Sequence, residues 1–157
     1  KRARRLPTVL TPDEVKRLIA GAKNLYHRTM LLVLYGCGLR RSELLQLKVA
    51  DIDSQRMVIR IDRGKGGHAR EVPLSPMLLT ALREYYRWMR PKTYLFPGWE
   101  HGWRADKPLT SRVVWDAVRF ATRAAGITRR VTPHTLRHYL ACLTMSGDVR
   151  QSAGQRR

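Results

Sequence analysis

The chain carries one clear β signal, enclosed by helical periodicity on both sides. Met57-Val58-Ile59-Arg60-Ile61 is rich in β-branched residues. Asp62-Arg63-Gly64-Lys65-Gly66-Gly67-His68 is a glycine-rich turn, and Ala69-Arg70-Glu71-Val72-Pro73-Leu74 returns as a second strand. An isolated hairpin is at best marginally stable in water, so this one has to pack on helices. The expected class is therefore α+β and mostly α-helical, with helices packed around a small antiparallel β-sheet or hairpin.

The helices announce themselves through caps and apolar stripes. Thr11-Pro12-Asp13-Glu14 is a capping box with proline at the first helical position. Val15, Leu18 and Ile19 form the stripe behind it, and Gly21 ends the helix. A second helix is expected over residues 27–35. Its Met30-Leu31-Leu32-Val33-Leu34 run is apolar all round, which puts it at the centre of the core. Gly36-Cys37-Gly38 breaks it, and a short helix follows with Leu44, Leu45 and Leu47 inward. Ser75-Pro76 opens a helix to about residue 90 with Leu78, Leu79, Leu82, Tyr86 and Met89 as its apolar side. Residues 94–98 read as an extended piece and a turn. Residues 99–108, polar and aromatic, read as a loop whose aromatic and basic side chains either skirt nucleic acid or are partly buried. Thr110 starts a further amphipathic helix with Val114, Ala117, Val118 and Ala121 inward, ended by Gly126.

Charge narrows the partner. Lys and Arg number 31 against 12 Asp and Glu, giving a formal charge of +19 and a pI near 11.3. A domain this basic repels itself, and a polyanion is its natural partner. Nucleic acid fits better than an anionic membrane, because the cations are spread along the chain instead of gathered on one amphipathic helix. Cys37 and Cys142 lie far apart in apolar surroundings, as expected of buried thiols in a reducing compartment, with no disulfide framework. No apolar run reaches the roughly 18 residues that span a bilayer.

Three places then carry chemistry. Arg40 follows the double-glycine break, where a sharp turn brings its guanidinium inward, and Glu43 three positions on is placed to pair with it. Lys65 stands at the hairpin tip. In Thr132-Pro133-His134-Thr135-Leu136-Arg137-His138 the threonine serves as N-cap and the proline as first helical residue. This sets His134 and Arg137 on one helix face. Taken separately, each has an ordinary reading: a surface Arg–Glu pair, an exposed turn lysine, a helix with solvated charges. Together they suit phosphoryl transfer on a nucleic-acid backbone. Two arginines grip the non-bridging oxygens, a histidine adds a donor, and a lysine protonates the departing sugar oxygen. No carboxylate cluster suited to Mg²⁺ is apparent. The His134/His138 spacing lacks the glutamate of His-Glu-x-x-His, since Thr135 stands there, so no metal or other cofactor is expected.

These pieces resemble the tyrosine recombinase (phage integrase) family. The matching stretches are Gly38-Leu39-Arg40-Arg41-Ser42-Glu43-Leu44, then Gly64-Lys65-Gly66-Gly67 with Arg70 and Val72-Pro73-Leu74. Leu95-Phe96-Pro97-Gly98 and His134-Thr135-Leu136-Arg137-His138 follow in the family's order. The resemblance implies that Arg40, Lys65, His134 and Arg137 are catalytic, with Lys65 the general acid. Glu43, as the buried partner of Arg40, and His138 stand behind them. Arg41, His68, Arg70, Arg129 and Arg130 are the expected DNA contacts. It also implies a 3′-phosphotyrosyl intermediate, duplex DNA as partner, like subunits in a tetramer, and neither membrane nor small-molecule substrate. The expected organisation is a basic arm over residues 1–10, a catalytic domain over 11–147 and an aberrant or disordered tail over 148–157. The family's nucleophilic tyrosine lies well downstream of His-x-x-Arg. No tyrosine follows Tyr139, so the chain is expected to lack the nucleophile and to be inactive alone. A DNA-binding remnant of a decayed integrase is the alternative. The setting expected is bacterial cytoplasm, on the DNA of a mobile element.

Overall fold

The computed structural model describes residues 9–62 and 68–137. In chain order its elements are α1 (Pro12–Ala20), α2 (Leu25–Cys37), α3 (Arg41–Gln46), a 3-10 turn (Val49–Asp51), β1 (Ile52–Asp53), β2 (Val58–Ile61), β3 (Arg70–Pro73), α4 (Pro76–Met89), β4 (Pro97–Glu100), β5 (Trp103–Pro108) and α5 (Ser111–Ala124). Residues 133–137 are helical again. The architecture is the expected α+β arrangement of helices around small antiparallel sheets.

Helix α2 is the hub and packs against α1, α3, α4 and α5. Thr29, Met30, Leu31, Val33 and Leu34 are fully buried. An all-round apolar helix needs neighbours on most sides, and here it has them. The one hydroxyl in that run is satisfied, since Thr29 Oγ1 donates to Leu25 O at 2.8 Å. The helix starts two residues before the expected residue 27 because Asn24 caps it, accepting from the His27 N–H at 2.9 Å. It ends at Gly38, whose φ of 61° is the left-handed conformation that glycine adopts without penalty. Gly21 ends α1 for another reason. Its φ is ordinary, but a Cβ there would meet Ala121 O at 3.0 Å and the Ala124 Cβ at 3.1 Å, so the missing side chain lets α1 lie close on α5.

Two antiparallel sheets form. In the first, β1, β2 and β3 are ordered along the sheet with Ile59 opposite Val72 and Ile61 opposite Arg70. The two-residue strand β1 was not legible from β-propensity. The second sheet corrects the expected loop over residues 99–108, which is the hairpin β4–β5. Its turn is His101-Gly102, both with positive φ, as two-residue hairpin turns require. Trp99 and Trp103 are exposed, Trp103 at 79%. A hairpin wetted on both faces shows no apolar alternation, which is why the pattern hid it.

On α4 the buried stripe is Leu78, Leu79, Leu82, Tyr85 and Met89. The tyrosine expected inward, Tyr86, is 47% exposed, while Tyr85 is fully buried. Three residues beyond Leu82 and four before Met89, Tyr85 is the position in phase with the stripe. Its ring lies 5.3 Å from Phe96, and Tyr26 meets Phe96 edge-on at 5.9 Å. Tyr85 Oη donates to Leu95 O at 2.7 Å and Tyr26 Oη to Pro97 O at 2.9 Å, fastening the start of the second hairpin to α2 and α4. Burial raises both phenols above their ordinary range, and it pushes the Cys37 thiol up to about 12. No described helix is long and apolar enough to cross a membrane.

Candidate functional site

The left-handed turn at Gly38 hands the chain to Leu39, which is buried, and then to Arg40, which is extended and exposed at the N-terminus of α3. Glu43 sits one turn into that helix. Its carboxylate reaches back and accepts the Arg40 backbone N–H at 2.7 Å, satisfying one of the helix's free amides. The same carboxylate takes the Arg70 guanidinium with both oxygens, at 2.5 and 2.9 Å. The Glu43 side chain is 3% exposed and that of Arg70 36%.

This corrects the expected pairing. Glu43 holds Arg40 through the main chain, and its ionic partner is Arg70. Strand register explains the choice: Arg70 pairs with Ile61, which is buried, so its side chain starts from the core face of the sheet. The neighbouring Glu71 points outward and forks onto Arg56 at 2.8 and 3.0 Å. The alternation Arg70-x-Val72-x-Leu74 was the available sequence signal for an inward arginine.

Arg137 completes the cluster. Thr132 caps its helix as expected: the hydroxyl accepts from the Thr135 N–H at 3.2 Å, and the Thr135 hydroxyl accepts the Thr132 N–H at 3.1 Å in return. Leu136 is fully buried and fixes the helix rotation, while His134 is exposed. Arg137 Nη1 is buried without a hydrogen-bond partner among the described residues. Burial lowers the pKa of this guanidinium, and the charges of Arg40 and Arg70 lower it further against the opposing pull of Glu43. Burial by itself would raise the Glu43 carboxyl. The Arg70 hydrogen bonds, the Arg40 N–H and the charges of Arg70 and Arg137 outweigh it and hold the group below its ordinary 4.5.

Arg40, Glu43, Arg70 and Arg137 are therefore neighbours in space, although up to about a hundred residues of chain separate them. Lys65 and His138 lie outside the described residues. Arg41 lies over the Trp115 ring at 5.9 Å, a contact to α5 that no local sequence signal marks. Arg129 is engaged within the fold: Nη1 donates to Val9 O at 3.1 Å and Nη2 pairs with Glu14, which ties α1 to the chain leaving α5. His68 and Arg130 are exposed. A cleft of about 480 Å³ also touches Glu43, but Asp51 and Asp62 line it beside Lys48 and Arg60, so it lacks the positive excess of the arginine cluster. Among the described residues no three His, Cys, Asp or Glu side chains gather as a metal site.

Comparison with known proteins points the same way. The model of the phage integrase family matches residues 8–149. The protein named integrase/recombinase y4qK of Sinorhizobium fredii is 45% identical over 152 residues, covering 96% of this chain and 48% of its own length. The crystal structure of XerA recombinase superposes with a TM-score of 0.79 at 31% identity, covering 94% of this chain and 53% of that one. Lambda integrase bound to DNA shares the fold, with a TM-score of 0.70 at 20% identity over 91% of this chain and 53% of that one. The chain spans about half the length of the curated relatives it matches.

Proposed function

This chain belongs to the phage integrase family and has the tyrosine recombinase catalytic-domain fold, and from that premise we propose that it grips a backbone phosphate of duplex DNA for strand breakage and rejoining. One observation carries the reading. Among the described residues Glu43 is the one carboxylate coupled to Arg137, its oxygens are taken by Arg70 and the Arg40 N–H, and Arg137 Nη1 is buried without a partner. Three guanidiniums against one carboxylate leave an excess of positive charge where a non-bridging phosphate oxygen would be received.

In this reading Arg40 and Arg137 hold the non-bridging oxygens, where charge grows as the phosphorus becomes pentavalent. His134, on the same helix face as Arg137, adds a donor or shuttles a proton. Lys65 protonates the departing 5′-oxygen, and the attacking tyrosine becomes the 3′-phosphotyrosyl link. No tyrosine of this chain is assigned that role. The hydroxyls of Tyr26 and Tyr85 are buried and committed to carbonyl oxygens. These two are thereby set aside as the nucleophile, and the 157-residue chain is proposed to bind DNA without forming an adduct. Its partners are duplex DNA and like subunits, its setting the cytoplasm.

The test is a duplex-binding titration at several salt concentrations. Affinity should fall steeply, and Arg137→Ala should reduce the slope of log K against log salt by about 1. A flat salt response would remove DNA as the partner. On a suicide substrate, a covalent adduct from the 157-residue chain would overturn the proposal that it binds without cleaving.

A further inference from the structure

We propose that Arg70 is a positioning residue: by occupying both oxygens of Glu43 it keeps that buried carboxylate off Arg40 and Arg137, so that these two guanidiniums remain available to phosphate. The inference rests on the phosphate-binding reading above and changes the expected role of Arg70 from a DNA contact to a guard of the site's charge.

The geometry supports this in three steps. First, Glu43 is nearly inaccessible to water, so its carboxylate has to be met by protein donors. Second, the donors it has are the two Arg70 Nη groups, at 2.5 and 2.9 Å, and the Arg40 N–H, at 2.7 Å. A forked guanidinium matches a carboxylate edge to edge and leaves neither oxygen free to turn. Third, the next cation coupled to Glu43 is Arg137, whose Nη1 is buried and unpartnered among the described residues. Without Arg70, pairing with Arg137 is the arrangement that best satisfies both buried groups. It would cancel one of the two excess positive charges and block the donors a phosphate needs. Arg70 arrives from β3, held opposite Ile61, so the fork is delivered by a strand whose register is fixed. The same bond ties β3, which follows Lys65 in the sequence, to the helix that Arg40 precedes.

A direct phosphate contact by Arg70 predicts the opposite response to a second mutation, which makes the proposal testable on the 157-residue chain. The probe is inorganic sulfate, an oxyanion that does not titrate near neutral pH. It is added at constant ionic strength and followed by the arginine Nε–Hε resonances of Arg40 and Arg137. Arg137→Ala marks the site-specific part of the binding. Arg70→Ala should weaken that binding by about tenfold, the scale of one charge-assisted contact. Adding Glu43→Gln to Arg70→Ala should restore it to within about threefold of wild type, because the freed carboxylate is no longer there to compete. Unchanged binding in Arg70→Ala, or a double variant as weak as the single one, overturns the proposal. Loss of folding in Arg70→Ala leaves the double variant to decide alone: sulfate affinity near wild type supports the proposal, and affinity near that of Arg137→Ala overturns it. Should Arg137→Ala itself leave sulfate binding intact, the phosphate-binding reading fails and this inference falls with it. That outcome is distinct from a failure of Arg70 alone.

Discussion

Replacing Glu43 with glutamine probes the link between the fold and the candidate site. The change keeps the shape and removes the charge. Wild-type Glu43 accepts three hydrogen bonds, two from Arg70 and one from the Arg40 N–H, with a side chain only 3% exposed. Breaking a fully buried pair by removing one partner costs about 3–5 kcal/mol. Arg70 is about one-third exposed and can turn its guanidinium to water, so the expected loss is smaller, about 2–3 kcal/mol. For a chain of this size that lowers Tm by about 4–12 °C. The pH dependence gives the sharper readout. The folded carboxyl is held below its ordinary 4.5, so its contribution is fully present above that value and is lost as pH falls through the lowered one. Thermal unfolding of wild type and Glu43→Gln should therefore differ most near pH 7, and the gap should shrink as pH falls below 4.5. Equal Tm at neutral pH, or a gap that persists unchanged to pH 3, would refute the assignment of Glu43 as an ionised, arginine-bound carboxylate.

Other substitutions test the packing that positions the site. Tyr85→Phe removes a buried hydroxyl and leaves Leu95 O without its 2.7 Å donor, for a loss of about 1–2 kcal/mol in urea unfolding. Tyr86→Phe on the exposed face should stay within about 0.5 kcal/mol, and a reversed order would contradict the observed helix phase. Gly21→Ala gains less than about 1 kcal/mol of chain entropy but drives a Cβ to 3.0 Å from the Ala121 carbonyl, so a net loss of about 1 kcal/mol is expected by the same assay. Gly38→Ala forces a side chain into φ 61° at a cost of about 1–2 kcal/mol. Because Arg40 lies two residues on, it should also weaken duplex binding; unchanged stability would mean the turn relaxes.

Much of this molecule is written locally. The helix starts at Thr11, Ser75 and Thr132 were legible because a cap is a bond between residues three apart, and each is present at the expected place. The apolar run of α2 and the strands β2 and β3 were legible because periodicity of side chains is a property of a single segment. Composition pointed to a polyanionic partner in the same local way. Tertiary structure alone decided which groups meet. Glu43 stands three residues from Arg40 and reads as its side-chain partner, yet α3 folds the carboxylate back onto the Arg40 main chain and leaves the ionic bond to Arg70, 27 residues away. Arg129 reads as a DNA contact, and only the fold shows that it fastens Val9 and Glu14. The physical reason is common to both. A charge selects its partner by burial and distance in space, and those are set only once β3 is in register and the helices have closed around α2.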